Sequence, residues 1–252
     1  MSSEISKRDF LQQYHMRDKT WKPLTNPKVE TADFIQTIRD GVLYNNETHD
    51  ILCLGLKGSS KSSSSMGLAK LIDPNFSVEN VAFNIDEQIE LSKTLPKGSV
   101  ILFDDAGMMD GGSSRRSMST VNQTMMDIAQ MCRTDKHITI YTTMEDSRLD
   151  KRVRTQFPYV MSPVQKINYD WGLASVLEVF KNTQYINREQ SGETFVQIQR
   201  ARMKYGSGNL THIVVPHCPR DLMIAYNEKR AGRLEDVRNK TIRTNKYYKE
   251  EE

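Results

Sequence analysis

The 252-residue chain is 37% hydrophobic and 27% charged, with a net charge of +3, an ordinary globular composition that fits one sizeable domain with appendages. No apolar run reaches the ~18–20 residues of a membrane span, and the polar opening MSSEISKRDFLQQYH has no secretion-signal core, so a cytoplasmic location is expected. Cys53, Cys132 and Cys218 are scattered and odd in number and do not suggest a disulfide framework, and His212, His217 and Cys218 lack the paired spacing of a structural zinc site.

In chain order, residues 1–30 are polar, contain Pro23 and Pro27, and read as an N-terminal arm. Residues 31–43 place Phe34, Ile35, Ile38 and Val42 at helical spacing. DILCLGL (50–56) is a short apolar run, as in a strand buried on both faces. Residues 64–72 read as helix, 80–85 as strand and 86–95 as helix ending at Pro96. GSVILFDDAG (98–107) is the strongest strand, followed by the Gly/Ser-rich loop 107–117. Residues 118–133 form an amphipathic helix with Val121, Met125, Ile128 and Cys132 on one face, and 137–143 a β-branched strand. This alternation implies a parallel sheet with helices on both faces. Beyond Pro163 the pattern weakens; 195–203 and 208–216 alternate like strands, and 220–240 reads as a closing helix.

The stretch between the first strand and its helix carries the chemistry. GLKGSSKS (55–62) follows the phosphate-loop pattern G-x-x-x-x-G-K-[ST] at Gly55, Lys61 and Ser62. Successive amides of such a loop curl around an anion, and the helix N-terminus adds a favourable dipole. Gly55, Lys57, Gly58, Ser59, Ser60, Lys61, Ser62 and Ser63 are thus the expected ATP-binding set, with Lys61 reaching the β- and γ-phosphates and Ser62 the Mg²⁺. Ser60 stands where the second pattern glycine belongs; a positive φ there would strain it by about 1 kcal/mol.

VILFDDAG supplies the second element. Asp104, on a strand expected beside the loop strand, would hold the Mg²⁺, and Asp105 would orient and deprotonate water. Arg133, Arg148, Arg152 and Arg154 are candidates for entering a neighbouring subunit's site. Thr142 and Thr143, at a strand end, could sense the γ-phosphate or position water. From Lys229 to Lys249 the chain is basic before three closing glutamates, which suits a solvated helix face or contact with a phosphate backbone.

In their order, the loop GLKGSSKS, the strand ILFDDAG, the segment from SSRR to YTT and the stretch RLDKRVR resemble the FtsK/HerA superfamily of phosphate-loop ATPases, over about residues 48–160. They look most like its archaeal-virus members, which include genome-packaging ATPases. The resemblance implies a RecA-like α/β fold, to which the alternating runs 195–203 and 208–216 and the closing helix add a small C-terminal β-hairpin and helix. It also implies a ring, a hexamer or pentamer, that pumps double-stranded DNA using ATP and Mg²⁺. It places the metal acid at Asp104, the catalytic acid position at Asp105 (commonly glutamate) and the trans-acting arginine at Arg133. The strand-end polar residue falls at Thr143 or Thr142, where glutamine is common. Arg115 or Arg116 could face the DNA pore or the neighbouring subunit. Capsid or portal proteins would be further partners, in the host cytoplasm or the virion. The expected organisation is an arm at 1–30, an ATPase core at 31–165 and a C-terminal part at 166–252 that completes the domain. The rival readings are a nucleotide-binding assembly protein with little or no hydrolysis, and a small-molecule kinase.

Overall fold

A computed structural model describes residues 27–45, 47, 49–104, 127, 134–144, 149, 151–154, 156–169, 172–188, 194–201, 203–205 and 208–249. The chain opens with helix α1 (Pro27–Leu43), strand β1 (Ile51–Leu54) and helix α2 (Lys61–Ile72). A 3₁₀ turn (Val78–Asn80), β2 (Val81–Ala82), α3 (Ile85–Thr94), β3 (Val100–Phe103) and β4 (Ile138–Thr143) follow. The short α4 (Lys151–Arg154) leads into the long strands β5 (Tyr159–Tyr169) and β6 (Gly172–Arg188). Then come β7 (Thr194–Ala201), β8 (Met203–Tyr205), β9 (Gly208–Leu210), β10 (His212–Pro216) and the terminal helix α5 (Arg220–Lys249).

The main sheet runs β10-β6-β5-β1-β4-β3-β2, with β7 also paired to β6, while β8 and β9 form a separate two-stranded hairpin. From β5 through β1, β4 and β3 to β2 every pairing is parallel; β6 joins β5, β10 and β7 antiparallel. The fold class read from the sequence therefore stands: a mainly parallel central sheet flanked by helices, with a small C-terminal hairpin and helix.

β1, β3 and β4 are short and buried throughout, which is why β1 and β3 read as unbroken apolar runs. On one face, Ile51, Leu102 and Ile140 pack against Phe34, Ile38 and Val42 of α1 and Met66, Leu68 and Ile72 of α2. On the other, Leu52, Phe103 and Tyr141 meet Val153 of α4, Phe157 and the partly buried Ile85 and Leu91 of α3. Each such large side chain contributes about 1.5–3 kcal/mol by leaving water. Two polar contacts fix the register of these layers: Gln88 Nε2 donates to Tyr141 Oη at 2.5 Å, and Thr31 Oγ1 accepts from the Val214 amide at 3.2 Å.

The structure departs from the sequence reading at several points. The strand expected at 80–85 is only two residues long, preceded by a 3₁₀ turn that Ser77 and Asn80 cap reciprocally. The weak pattern beyond Pro163 conceals the longest hairpin among the described residues, β5–β6, whose register shifts between Pro163 and Gln165. Its polar alternation (Gln165, Lys166, Asn168) lacked the apolar signal of the parallel strands. α5 runs nine residues past its expected end at 240, to Lys249. The helix expected at 118–133 falls almost wholly outside the described residues, as do most of the arm, Asp105, Arg133 and the loop carrying Arg115 and Arg116.

At the start of β1, Asp50 is 3% exposed, and its Oδ1 accepts from the Thr139 amide at 2.7 Å. Burial pushes its carboxyl up to about 7, against the pull of that amide. The folded chain thus holds this proton more tightly than the unfolded one, whose value is near 3.8. The Asp50 contribution to stability is full below the unfolded value and is lost as pH rises toward 7, a fall of up to about 4 kcal/mol. Asn at this position keeps the acceptor and cannot ionise. Urea unfolding of Asp50→Asn at pH 4.5 and 7.5 should show a smaller loss with pH than wild type; equal losses would remove Asp50 from the account.

Candidate nucleotide site

β1 ends at Leu54, and residues 55–60 carry the chain to α2. The turn is closed, not stretched: the Ser59 amide donates to Leu56 O at 3.1 Å, and the Gly55 amide to Thr143 O at 3.3 Å. Gly55 is closely covered: a Cβ there would lie 2.6 Å from Ser59 Oγ, which would have to turn away, and 3.3 Å from Lys61 Cγ. Gly58 has φ +83° and no neighbour within 4 Å of a Cβ position. Lys61, 8% exposed, folds back so that its Nζ donates to Leu56 O at 3.0 Å. Lys166 of β5 donates to Gly58 O at 3.0 Å and pins the loop from the hairpin side. Ser59 Oγ is buried without a hydrogen-bond partner among the described residues. Lys57 is exposed at the tip, and Ser63 is half-buried.

Ser60 adopts φ 70°, ψ 20°, the left-handed conformation that the missing pattern glycine would take without cost. As N-cap of α2 it makes no side-chain cap bond. The amides of the first helical turn have no partners within the helix itself, the arrangement that favours an anion at a helix N-terminus. Ser64 Oγ instead turns back to Ser60 O at 2.7 Å and braces the turn. Ser60→Gly should raise stability by about 1 kcal/mol by relieving the left-handed strain. A thermal unfolding comparison checks this, and an unchanged or lower Tm would show that the loop carries no such strain.

Across the sheet end, Ser62 Oγ donates to Asp104 Oδ1 at 2.9 Å and to Oδ2 at 3.2 Å. Asp104 follows β3, is 1% exposed, and is held by its amide's bond to Ala82 O at 3.0 Å. The strand bearing this acid is not beside the loop strand, as the sequence reading expected: β4 lies between β1 and β3. Ser62, at the start of α2, reaches across β4 to meet the acid, and β4 places Thr142 beneath both. Thr142 Oγ1 donates to Asp104 Oδ1 at 2.6 Å. Thr143, one residue on, has its side chain on the opposite face of the strand, while its carbonyl receives the Gly55 amide. Tyr226 of α5, which no sequence pattern marked, donates from its hydroxyl to Asp104 Oδ2. Burial, then the Asp104 carboxylate, hold that phenol far above the usual tyrosine range, so it remains a proton donor.

The donor set suits Mg²⁺: a serine hydroxyl and a carboxylate are hard oxygen ligands within one coordination sphere's reach, and Mg²⁺ takes its remaining ligands from water and phosphate. Among the described residues no cluster of three His, Cys, Asp or Glu could hold a metal alone, and His217 is instead bonded to Ser175 at 2.8 Å. No described helix is long and apolar enough to cross a membrane.

No family model matches the chain, and no curated protein matches it. Solved structures give partial overlays. The Thermotoga maritima RuvB Holliday junction branch migration motor is 14% identical over 53% of this chain and 44% of that one, under half of its length, with a TM-score of 0.35. The N-terminal domain of zonular occludens toxin from Neisseria meningitidis is 13% identical over 61% and 94%, with a TM-score of 0.32. The DnaC helicase loader is 19% identical over 55% and 89%, with a TM-score of 0.31. The chain is similar to each of these in part of the fold only, and the candidate site rests on its own geometry.

Proposed function

We propose that the chain is an ATP-driven nucleic-acid translocase, a genome-packaging ATPase of viral type that hydrolyses ATP at the subunit interfaces of a ring. The contact of Ser62 with Asp104 at 2.9 Å carries the nucleotide part of this reading, because it joins the loop-helix start to the strand-end acid across an intervening strand. Mg²⁺·ATP supplies the phosphoanhydride to be cleaved and the cation that offsets its charge. The amides of Lys61, Ser62 and Ser63 at the start of α2 hold the phosphates, and the Lys61 ammonium neutralises the β- and γ-oxygens. The Ser62 hydroxyl and the Asp104 carboxylate hold the cation. Asp105 takes the proton of the attacking water, Thr142 or Thr143 orients it, and Arg133 reaches in from the next subunit of a hexamer or pentamer.

The translocase part is supported by residue order and charge. The basic run from Lys229 to Lys249 and the loop 107–117 with Arg115 and Arg116 can grip the phosphates of double-stranded DNA without reading its sequence. Capsid or portal proteins complete the partner set, in the host cytoplasm or the virion. The left-handed Ser60 favours a second reading, a nucleotide-binding assembly protein with little or no hydrolysis, since strain in the loop weakens the grip on phosphate. ATP turnover measured with and without duplex DNA, in wild type and Lys61→Ala, separates them. DNA-stimulated turnover that Lys61→Ala abolishes is the expected result. Tight binding without turnover would favour the assembly protein, and turnover that requires a small acceptor would favour a kinase.

A further inference from the structure

We propose that Tyr226 is a positioning residue for Asp104, which makes the C-terminal helix a working part of the nucleotide site; the inference rests on the nucleotide reading above. A carboxylate turns about a broad, roughly two-fold terminal torsion, so its own geometry does not fix its plane. Here the plane is set from outside. Thr142 donates to Oδ1, Tyr226 to Oδ2, and Ser62 to both oxygens. The donors come from β4, α5 and α2, so three separate elements define where this buried acid points. Carboxylates that serve a metal depend on such outer partners for their orientation.

Tyr226 is itself held. It is 2% exposed and packs against Phe83, with ring centroids 5.8 Å apart. The Arg230 guanidinium carbon lies 6.0 Å from its ring centroid. One residue before Arg230, Lys229 Nζ donates to Val81 O at 2.7 Å and Val78 O at 3.3 Å, which ties α5 to the start of β2. The Asp104 amide donates to the carbonyl of Ala82, the next residue of that strand. The helix, the strand β2 and the acid thus share one set of contacts, with the phenol hydroxyl as the link that reaches the carboxylate.

The test is a Mg²⁺ titration of a fluorescent ADP analogue bound to the full chain, followed by anisotropy, with thermal unfolding measured beside it. Tyr226→Phe keeps the ring and removes only the hydroxyl. The Mg²⁺ concentration at half-maximal binding should rise about 10–100-fold, while binding in EDTA stays at the wild-type value. Phe83→Leu loosens the packing but keeps the hydroxyl, and should keep the wild-type Mg²⁺ midpoint even if Tm falls. An unshifted or lowered midpoint in Tyr226→Phe, beside a wild type whose binding Lys61→Ala abolishes, would overturn the role of Tyr226 alone. A wild-type chain that binds the analogue with no Mg²⁺ dependence would overturn the nucleotide reading and this inference with it.

Discussion

Replacing Lys61 with alanine is expected to lower ATP turnover by about 10²–10³-fold, the scale seen when one charge-stabilising donor is removed from a site where charge develops. The lysine is positioned for this by the loop itself: its stem passes under Gly55, and its ammonium already rests on Leu56 O at 3.0 Å. Folding should lose little. The Leu56 carbonyl keeps the Ser59 amide at 3.1 Å and belongs to a residue that is 72% exposed, where water can replace the lost donor, so the cost stays within about 1.5 kcal/mol. Phosphate release and thermal unfolding measured on the same preparation check both halves. Turnover at the wild-type rate would mean that the loop does not hold the transferring phosphate. A collapsed Tm would mean that Lys61 is structural.

The second large effect is expected at Asp104. Asn is nearly isosteric but carries one acceptor oxygen where the carboxylate has two, and its amide must face hydroxyls that now donate to Asp104 from Ser62, Thr142 and Tyr226. The hydroxyls can rotate, yet at least one buried donor loses its acceptor, which costs about 1–3 kcal/mol. The larger consequence concerns the cation: Asp104→Asn removes the negative charge opposite Ser62, and Mg²⁺ affinity should fall by at least the 10–100-fold typical of lost outer partners. A Mg²⁺ titration of nucleotide binding, paired with urea unfolding, reads both effects. A variant as stable as wild type and with the same Mg²⁺ midpoint would show that the three hydroxyls converge on Asp104 for no functional reason.

What the sequence disclosed and what it withheld have physical reasons. Ile51–Leu54 and Val100–Phe103 were legible because a parallel strand buried on both faces must be apolar throughout. The turn from Gly55 to Ser62 was legible from Gly55, Lys61 and Ser62 of the pattern, whereas the left-handed backbone at residue 60 was not, because a serine there carries no mark of φ 70°. The order of strands was not. Nothing in VILFDDAG says that β4, from residues further along the chain, will insert between it and β1, since pairing is decided by the whole sheet. The sequence could not separate Thr142 from Thr143 for the same reason: which of two adjacent threonines faces the acid depends on a strand neighbour that the sequence does not name. Tyr226 lay in a helix read only for its charge, 122 residues from its partner, and a single buried hydroxyl has no period to reveal it. The β5–β6 hairpin was missed because its polar alternation is a signal that loops also give.

Calorimetric titration of ATP into the full chain, in Mg²⁺ and in EDTA, for wild type and Ser62→Ala, tests the central claim most directly. The account predicts saturable binding in Mg²⁺ that weakens both when the cation is chelated and when the Ser62 hydroxyl is removed. Absence of heat with Mg²⁺·ATP at millimolar concentration, or binding that neither EDTA nor Ser62→Ala alters, would contradict it.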